Sequence, residues 1–437
     1  MSRPRAPLAG CLALYAVSVA TLLASHLGHG WGFIDLGIYR DGGEAVLRGA
    51  HLYDLRFPGA LAFTYPPLSA LLFTALTPLS MGVLEPLVTG ASLLLLPLVL
   101  AFALRLSPLE ASLSRDRAIR LALLVSAVVV WLEPVWTTLR YGQVDLLIGA
   151  LIFYDLSRPD SSRVKGAGLG LAVALKLTPA IFVVYLLLTR RVRAAVVSLS
   201  VFLATIGLGF ALIPGDSSAY WGGVFIDSSR VGRIENAANQ SLRGAYARLL
   251  HSVNVEVLWF CTVAVVALAG LTLAIVAGRR GDDARGVSLC ALTGLLVSPI
   301  SWSHHWVLAV PALMLFALDA SLRRSRAALA AAGAVAILAL THVIWWVPVN
   351  RPRHSELRLD ALQLLYSDAY VLMAILALAA AGVSMLRARR AVLPPVGAPA
   401  AGRPIASFGG RSELTPTAAR ARSARRLLGN RASLLSD

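Results

Sequence analysis

The sequence predicts an all-α polytopic membrane protein, and three observations predict it. Apolar windows of about twenty residues, each long enough to cross a hydrocarbon core of roughly 30 Å, recur from Leu8 to Leu386. Hydrophobic residues make up 57% of the chain and charged residues 14%, against about 25% charged in an ordinary soluble domain. The arginines behind the formal charge of +17 fall mainly in short gaps between those windows and in the C-terminal stretch. The basicity therefore reads as membrane topology, with no nucleic-acid partner expected.

In chain order the expected spans are 8–28, 63–82, 85–105, 119–135, 143–157, 166–189, 194–214, 256–277, 287–302, 304–320, 327–348 and 366–386. Twelve spans put both termini on one side. "MSRPR" at the start, "RRVR" at 190–193, Arg279 and Arg280, "RRSR" at 323–326 and "RARR" at 387–390 share that side, which the positive-inside rule assigns to the cytoplasm. The first run is expected to be an uncleaved signal anchor, because more membrane protein follows it. "LAGC" at 8–11 lacks the preceding apolar region that a lipoprotein cleavage box needs. Loops 105–120 and 158–165 count as external despite their basic residues, so a segment within 63–189 is expected to be re-entrant. The best suspect is 166–189, interrupted by "KLTP" at Lys176–Pro179.

Residues 1–390 are expected to form one multispan domain with external segments 29–62, 215–255 and 349–365. Residues 391–437, rich in Pro, Gly, Ala and Arg, are expected to be a disordered basic cytoplasmic tail attracted to anionic lipid. Cys11, Cys261 and Cys290 lie in apolar runs without metal-ligand spacing and read as small core residues. No phosphate-cradling GxxxxGK, nucleophile elbow or dinucleotide fingerprint occurs, so no nucleotide cofactor is implied.

Polar groups near membrane depth are expensive, and each is a functional candidate. In "GFIDLGIYRDGGEAVLRG", residues 32–49, Asp35, Ile38 and Tyr39 share one face of a short juxtamembrane helix. A partly desolvated Asp35 can take a proton from a hydroxyl; equally it can cap the helix or pair with Arg40. The Gly42–Gly43 pair reads as a bend. Tyr65 in "FTYPP" suits an aromatic belt or a sugar contact, and "LRYGQVD" offers Tyr141, Gln143 and Asp145 as sugar ligands or helix caps. Lys176 must pair with an acid, such as Asp145 or Asp155, or face an anionic ligand. "ENAANQSLRGAYARL" at 235–249 supplies Asn239, Gln240 and Arg243, either solvated or donating to sugar and phosphate. "ISWSHHWVLAVP" sets His304 and His305 between tryptophans; adjacent histidines diverge on a helix, which argues against a shared metal.

"FIDLGIYRDGG", "FTYPPLSALLFTALTPL", "YGQVDLLIGAL", "GLGLAVALKLTPAIFVVYLLLTRR", "NQSLRG" and "SPISWSHHW" occur in the order seen in glycosyltransferase family 87, which this chain resembles over about residues 30–310. The resemblance implies a GT-C fold in the plasma membrane with a site facing the periplasm. It implies an inverting α-(1→2)-mannosyltransferase of mycobacterial type that uses polyprenyl-phosphate mannose, with Asp35 as catalytic base. His304, His305, Lys176 and Arg243 would then hold the donor phosphate, and Tyr39, Tyr65, Gln143, Asn239 and Gln240 the sugars. The expected acceptor is a phosphatidylinositol mannoside, lipomannan or lipoarabinomannan. No cofactor or metal is expected beside the lipid-linked donor. An arabinofuranosyl or glucosyl transferase would share the same phosphate logic. A lipid or sugar transporter predicts charge deep in several helices, whereas here the polar residues gather at one face.

Overall fold

The computed structural model describes residues 7–25, 31–57, 61–108, 113–350 and 352–392. Residues Leu8–Ala381 form one compact unit; a second, Met1–Pro7 with Gly382–Asp437, contributes only Pro7 and the last turns of the final helix to the described residues. The expected tail lies, from residue 393 on, outside the described residues. Among the described residues all regular structure is helical, apart from two isolated bridges, Phe57 with Leu61 and Asn239 with Trp302.

The chain runs through α1 (Leu8–Ser25), α2 (Ile34–Leu47), α3 (Pro67–Phe73), α4 (Met81–Arg105), α5 (Arg115–Val129), α6 (Glu133–Tyr141), α7 (Asp145–Leu156), α8 (Ala167–Leu175) and α9 (Ala180–Leu188). It continues through α10 (Val192–Leu212), α11 (Pro214–Trp221), α12 (Leu242–Leu249), α13 (Glu256–Arg279), α14 (Asp283–Val297), a 3-10 turn Ser303–Ala309, α15 (Val310–Leu322), α16 (Arg326–Leu340), α17 (Ala361–Ser367) and α18 (Ala369–Val392). Six helical stretches are long and apolar enough to cross a bilayer: α1, α4, α10, α13, the turn with α15, and α18 up to Ala388; the α5–α6 pair, bent by 82°, makes a seventh if it is one span. The protein is thus a multi-pass membrane protein. Several of the twelve expected spans are folded instead as shorter or broken helices, among them 143–157, 166–189 and 287–302.

Sequence explains where these helices stop. Pro67, Pro134 and Pro214 occupy first-turn positions, where a missing N–H costs nothing. Ser114 caps α5 and Asp360 forms a reciprocal capping box with Gln363 at α17. On α13, small Gly270, Ala274 and Ala277 are buried while Val257, Val265 and Leu268 stay exposed, the pattern of a helix packed on one side and bathed in lipid on the other.

The break at Lys176 is real and turns the chain round. Lys176 is extended, at φ −156° and ψ 131°, and the carbonyl of Leu175 is taken up by Ser69 Oγ at 2.8 Å. Arg191, after α9, binds Asp160, before α8, at 3.2 Å, and also holds Asp283 at 2.6 Å. Both ends of 166–189 therefore emerge on one face. Each arm has nine residues, about 13 Å at 1.5 Å per residue, too short to cross. The segment is re-entrant, as the sequence suggested.

This corrects the placement of two loops. Loop 158–165 packs on the basic 190–193 turn through Asp160, so it lies on the face expected to be cytoplasmic. Loop 105–120 starts there too: the Phe102 ring lies 5.2 Å from Tyr154, which Arg158 covers at 5.4 Å. With 63–82 folded as the short helix Pro67–Leu76 that does not cross, and 166–189 as a hairpin, the two exceptions to the positive-inside rule disappear.

A second correction concerns Gly42 and Gly43. α2 continues through both without a bend. A Cβ on Gly42 would lie 2.6 Å from the Phe63 ring, and one on Gly43 would lie 2.5 Å from the backbone carbonyl of Phe73. The pair lets α2 press onto the segment before α3 and onto α3's end, closing an aromatic core of Tyr39, Tyr53, Phe63, Tyr65 and Phe73.

Candidate active site

α2 is held at its start by Phe33, whose N–H donates to the Arg140 carbonyl at 3.0 Å, and by Gly142, at φ 67°, where a Cβ would lie 2.7 Å from Leu36. This docks the α6–α7 turn against α2 and brings Gln143 under Asp35 and Tyr39. Tyr39 donates to Gln143 Oε1 at 2.6 Å, and its hydroxyl shares a 2.7 Å bond with that of Tyr65. Tyr65 also reaches Gln143 Oε1, at 3.3 Å. With its carbonyl so engaged, the Gln143 side chain hydrogen-bonds the Asp35 carboxylate from its amide nitrogen.

Asp35 is half-buried, in a helix outside the spans. Withdrawal from water pushes its pKa up to about 6; the Gln143 hydrogen bond and the Lys176 charge pull the other way, and Asp145 adds repulsion. The expected pair with Arg40 is not made. Arg40 sits 3.7 Å from Glu44 and donates to the Leu79 and Thr77 carbonyls at 3.0 and 3.1 Å.

Facing this wall are Lys176 and the two histidines. Lys176, at the tip of the re-entrant hairpin, lies 2.9 Å from Asp145 Oδ1 and 5.5 Å from the centre of the Tyr65 ring. His304 Nε2 lies 3.8 Å from Asp145 Oδ2, and neither atom has a hydrogen-bond partner although both are buried. The His304 ring also meets His305 at 4.7 Å and Tyr141 at 5.9 Å. Asp35, Tyr39, Tyr65, Gln143, Lys176, His304 and His305 thus converge, with Asp145 at the centre. In the sequence Asp145 had surfaced as a sugar ligand, a helix cap or one possible partner of Lys176.

The histidine turn is braced from behind. Glu133, wholly buried, accepts from Thr137, Ser303 and Trp345 at 2.6, 2.7 and 2.9 Å and from Tyr370 at 2.9 Å. Sequence reading missed it; a Glu–Pro helix start looks like an ordinary first-turn acid.

Asn239, Gln240 and Arg243 stand apart. Asn239 accepts from Ser301 N–H at 2.9 Å and donates to the Ile234 carbonyl at 2.9 Å. Gln240 donates to the Ala237 carbonyl at 2.6 Å and accepts from Tyr370 N–H at 3.2 Å. The Asn239 amide ties this loop to the segment before the histidine turn, and the Gln240 amide ties it to the start of α18. Arg243 binds Glu256 at 2.8 Å and Ser228 at 2.6 Å and lies over the Trp259 ring at 5.2 Å. None of these bonds reaches the Asp35 cluster.

Asp145, His304 and His305 each present one ligand atom within 4.8 Å of the others, a spacing a divalent cation can use. Lys176 already occupies the other oxygen of Asp145, and its ammonium opposes a second cation there. The same charge suits a phosphate.

A polar, half-desolvated cluster beneath an aromatic wall in a membrane bundle, with a base candidate on one side and a lysine with two histidines on the other, is the layout of a group-transfer enzyme acting on lipid-borne substrates. Residues 63–299 match the model of glycosyltransferase family 87, and the chain belongs to this family of GT-C membrane enzymes. It is 33% identical over 371 residues to a polyprenol-phosphate-mannose-dependent alpha-(1-2)-phosphatidylinositol mannoside mannosyltransferase of Mycobacterium tuberculosis, covering 80% of this chain and 85% of the relative. The protein of that name in Mycolicibacterium smegmatis is 34% identical over 77% of this chain and 81% of its own. A phosphatidylinositol pentamannoside mannosyltransferase of the same dependence, from Mycobacterium tuberculosis, is 33% identical over 74% and 75%. No solved structure matches the chain.

Proposed function

We propose that the protein transfers mannose, with inversion, from polyprenyl-phosphate mannose to the 2-hydroxyl of a mannose in a cell-envelope phosphatidylinositol mannoside or related lipoglycan. The observation that carries this reading is the opposition of Asp35 to Lys176, His304 and His305 across the Tyr39–Tyr65–Gln143 network. The names of the relatives supply the donor and the phosphatidylinositol mannoside acceptor; lipomannan and lipoarabinomannan are the lipoglycan counterparts.

Asp35 takes the proton of the acceptor 2-hydroxyl as its oxygen bonds to the anomeric carbon of the β-linked mannosyl phosphate. The carbon–oxygen bond to phosphate breaks with its electron pair, leaving an α link and polyprenyl phosphate. Charge grows on the departing phosphate, so Lys176 and the two histidines stabilise the transition state more than the ground state. Tyr39, Tyr65 and Gln143 set the position of Asp35 and present edges to the sugar. Arg243, engaged with Glu256, serves the external loop instead. The reaction needs no metal, because Lys176 supplies the charge where a cation would sit. The site faces the periplasm, since the basic loops gather at the other end of the bundle.

The test is mannose transfer in membranes supplied with polyprenyl-phosphate mannose, followed by linkage analysis of the product. Wild-type protein yields 2-linked mannose and Asp35→Asn does not; an Asp35→Asn enzyme near wild-type rate removes the assignment.

A further inference from the structure

Three side chains of one short helix hold His304. Glu133, at the start of α6, accepts from Ser303, the residue before His304, at 2.7 Å. Thr138 Oγ1 lies 3.4 Å from the His304 carbonyl, and the Tyr141 ring lies 5.9 Å from the His304 ring. The last turn of α6 serves the opposite wall, where the Arg140 carbonyl takes the Phe33 N–H at 3.0 Å and Gln143 follows in the turn beneath Asp35. One helix therefore links the histidine side of the cluster to the Asp35 side. Of its three holds on the histidine turn, the Glu133 bond is the short, charge-assisted one.

The same carboxylate gathers donors from four segments. Oε1 also takes Thr137 and Trp345, at 2.6 and 2.9 Å, and Oε2 takes Tyr370 at 2.9 Å, so α6, the histidine turn, the 3-10 turn Val343–Trp345 and α18 meet on one group. Among the described residues Glu133 forms no ion pair, and hydrogen bonds alone offset the cost of burying it. An apolar side chain would fill this space without that cost. We infer that Glu133 is a positioning residue, which acts through Ser303 to fix where His304 stands relative to Asp35. The inference rests on the proposed transfer, in which His304 meets the donor phosphate. Reacting atoms must lie about 3–3.5 Å apart, and a misplacement of about 1 Å costs about 10²-fold in rate.

Thr137 and Ser303 donate to the same oxygen and both are buried, but only Ser303 adjoins His304. Removing one hydroxyl at a time, by Ser303→Ala and by Thr137→Val, separates positioning from bracing. The experiment uses the full chain in lipid nanodiscs and measures the Kd for polyprenyl phosphate, then KM for polyprenyl-phosphate mannose and for a phosphatidylinositol mannoside acceptor. Ser303→Ala is expected to raise the Kd and the donor KM at least fivefold with acceptor KM within twofold, and Thr137→Val to leave all three within twofold. Unchanged constants in Ser303→Ala, or equal losses in the two variants, overturn the inference, and mannose transfer by the wild type then leaves the transferase reading in place. Polyprenyl phosphate bound by the wild type and weakened by Ser303→Ala, with no mannose transferred by either, keeps the positioning role and overturns the transferase reading. A wild type that does not bind polyprenyl phosphate overturns both. Glu133→Gln keeps the shape but gives all four donors a neutral acceptor, and is expected to raise the Kd and donor KM at least threefold. Unchanged values there overturn the inference even where Ser303→Ala does not fold.

Discussion

One carboxylate oxygen of Asp145 lies 2.9 Å from the Lys176 ammonium and the other 3.8 Å from His304 Nε2, so a single acid sets the spacing of the two groups proposed to hold the donor phosphate. Asp145 is a positioning residue. Replacing it by Asn keeps its shape but loses the charge that holds Lys176. Donor KM is expected to rise about tenfold, the scale of a lost charge-assisted hydrogen bond of about 1.5 kcal/mol, with little change in acceptor KM. Steady-state kinetics with each substrate varied in turn checks this split.

As the proposed base, Asp35 works only when ionised. Its pKa is raised to about 6, so kcat is expected to fall about tenfold per pH unit below that value and to level off above it. Asp35→Asn is expected to lose a factor of about 10²–10⁴ and to remove the acid limb. A pH–rate profile of the two proteins in the same vesicles reads both effects.

Gln143→Leu removes the shared acceptor of two buried tyrosines and the hydrogen bond to Asp35. The loss of that bond lets the Asp35 pKa rise further, so the acid limb is expected to move to higher pH while the protein still folds. Tyr39→Phe, which spares the Gln143–Asp35 contact, is expected to leave the limb in place.

Gly43→Ala is expected to destabilise the protein by about 1–3 kcal/mol, because the new methyl meets the Phe73 backbone. Gly37 lies in the same helix with open space around its Cβ position, so Gly37→Ala is expected to be neutral or stabilising by up to about 1 kcal/mol. Thermal unfolding in detergent compares the pair.

Chelation is expected to leave transfer unchanged. Rates measured after exhaustive treatment with a chelator, then with added divalent cations, test the argument that Lys176 takes the place of a metal beside Asp145.

Much of this site was legible because its members are rare residue types for their surroundings. Lys176 stands out in an apolar run next to a proline, and two histidines between tryptophans draw notice in the same way. Asp145 and Glu133 were less visible, since an acid in the first turn of a helix is commonplace, and only the packing shows what each one binds. The amides at Asn239 and Gln240 misled in the opposite direction: a polar loop looks free to meet a ligand until its partners at Ser301 and Tyr370 are seen. Span counting failed where hydropathy cannot report direction. Residues 166–189 are apolar enough to cross, yet the Arg191–Asp160 bond shows that they return. The glycine pair was misjudged because a bend and a close helix contact ask for the same residue.

The hairpin also works as a depth gauge. Its tip carries Lys176, while its two feet are tied together on the far side of the bundle through Arg191, Asp160 and Asp283. How deep the ammonium sits is thus dictated by the length of two nine-residue legs, at about 1.5 Å for each residue added or removed. Lengthening or shortening both legs by one turn would carry the charge about 5 Å away from Asp145 without altering any group that faces the substrate. The elevation of the Lys176 ammonium is in this sense fixed from the feet of the hairpin.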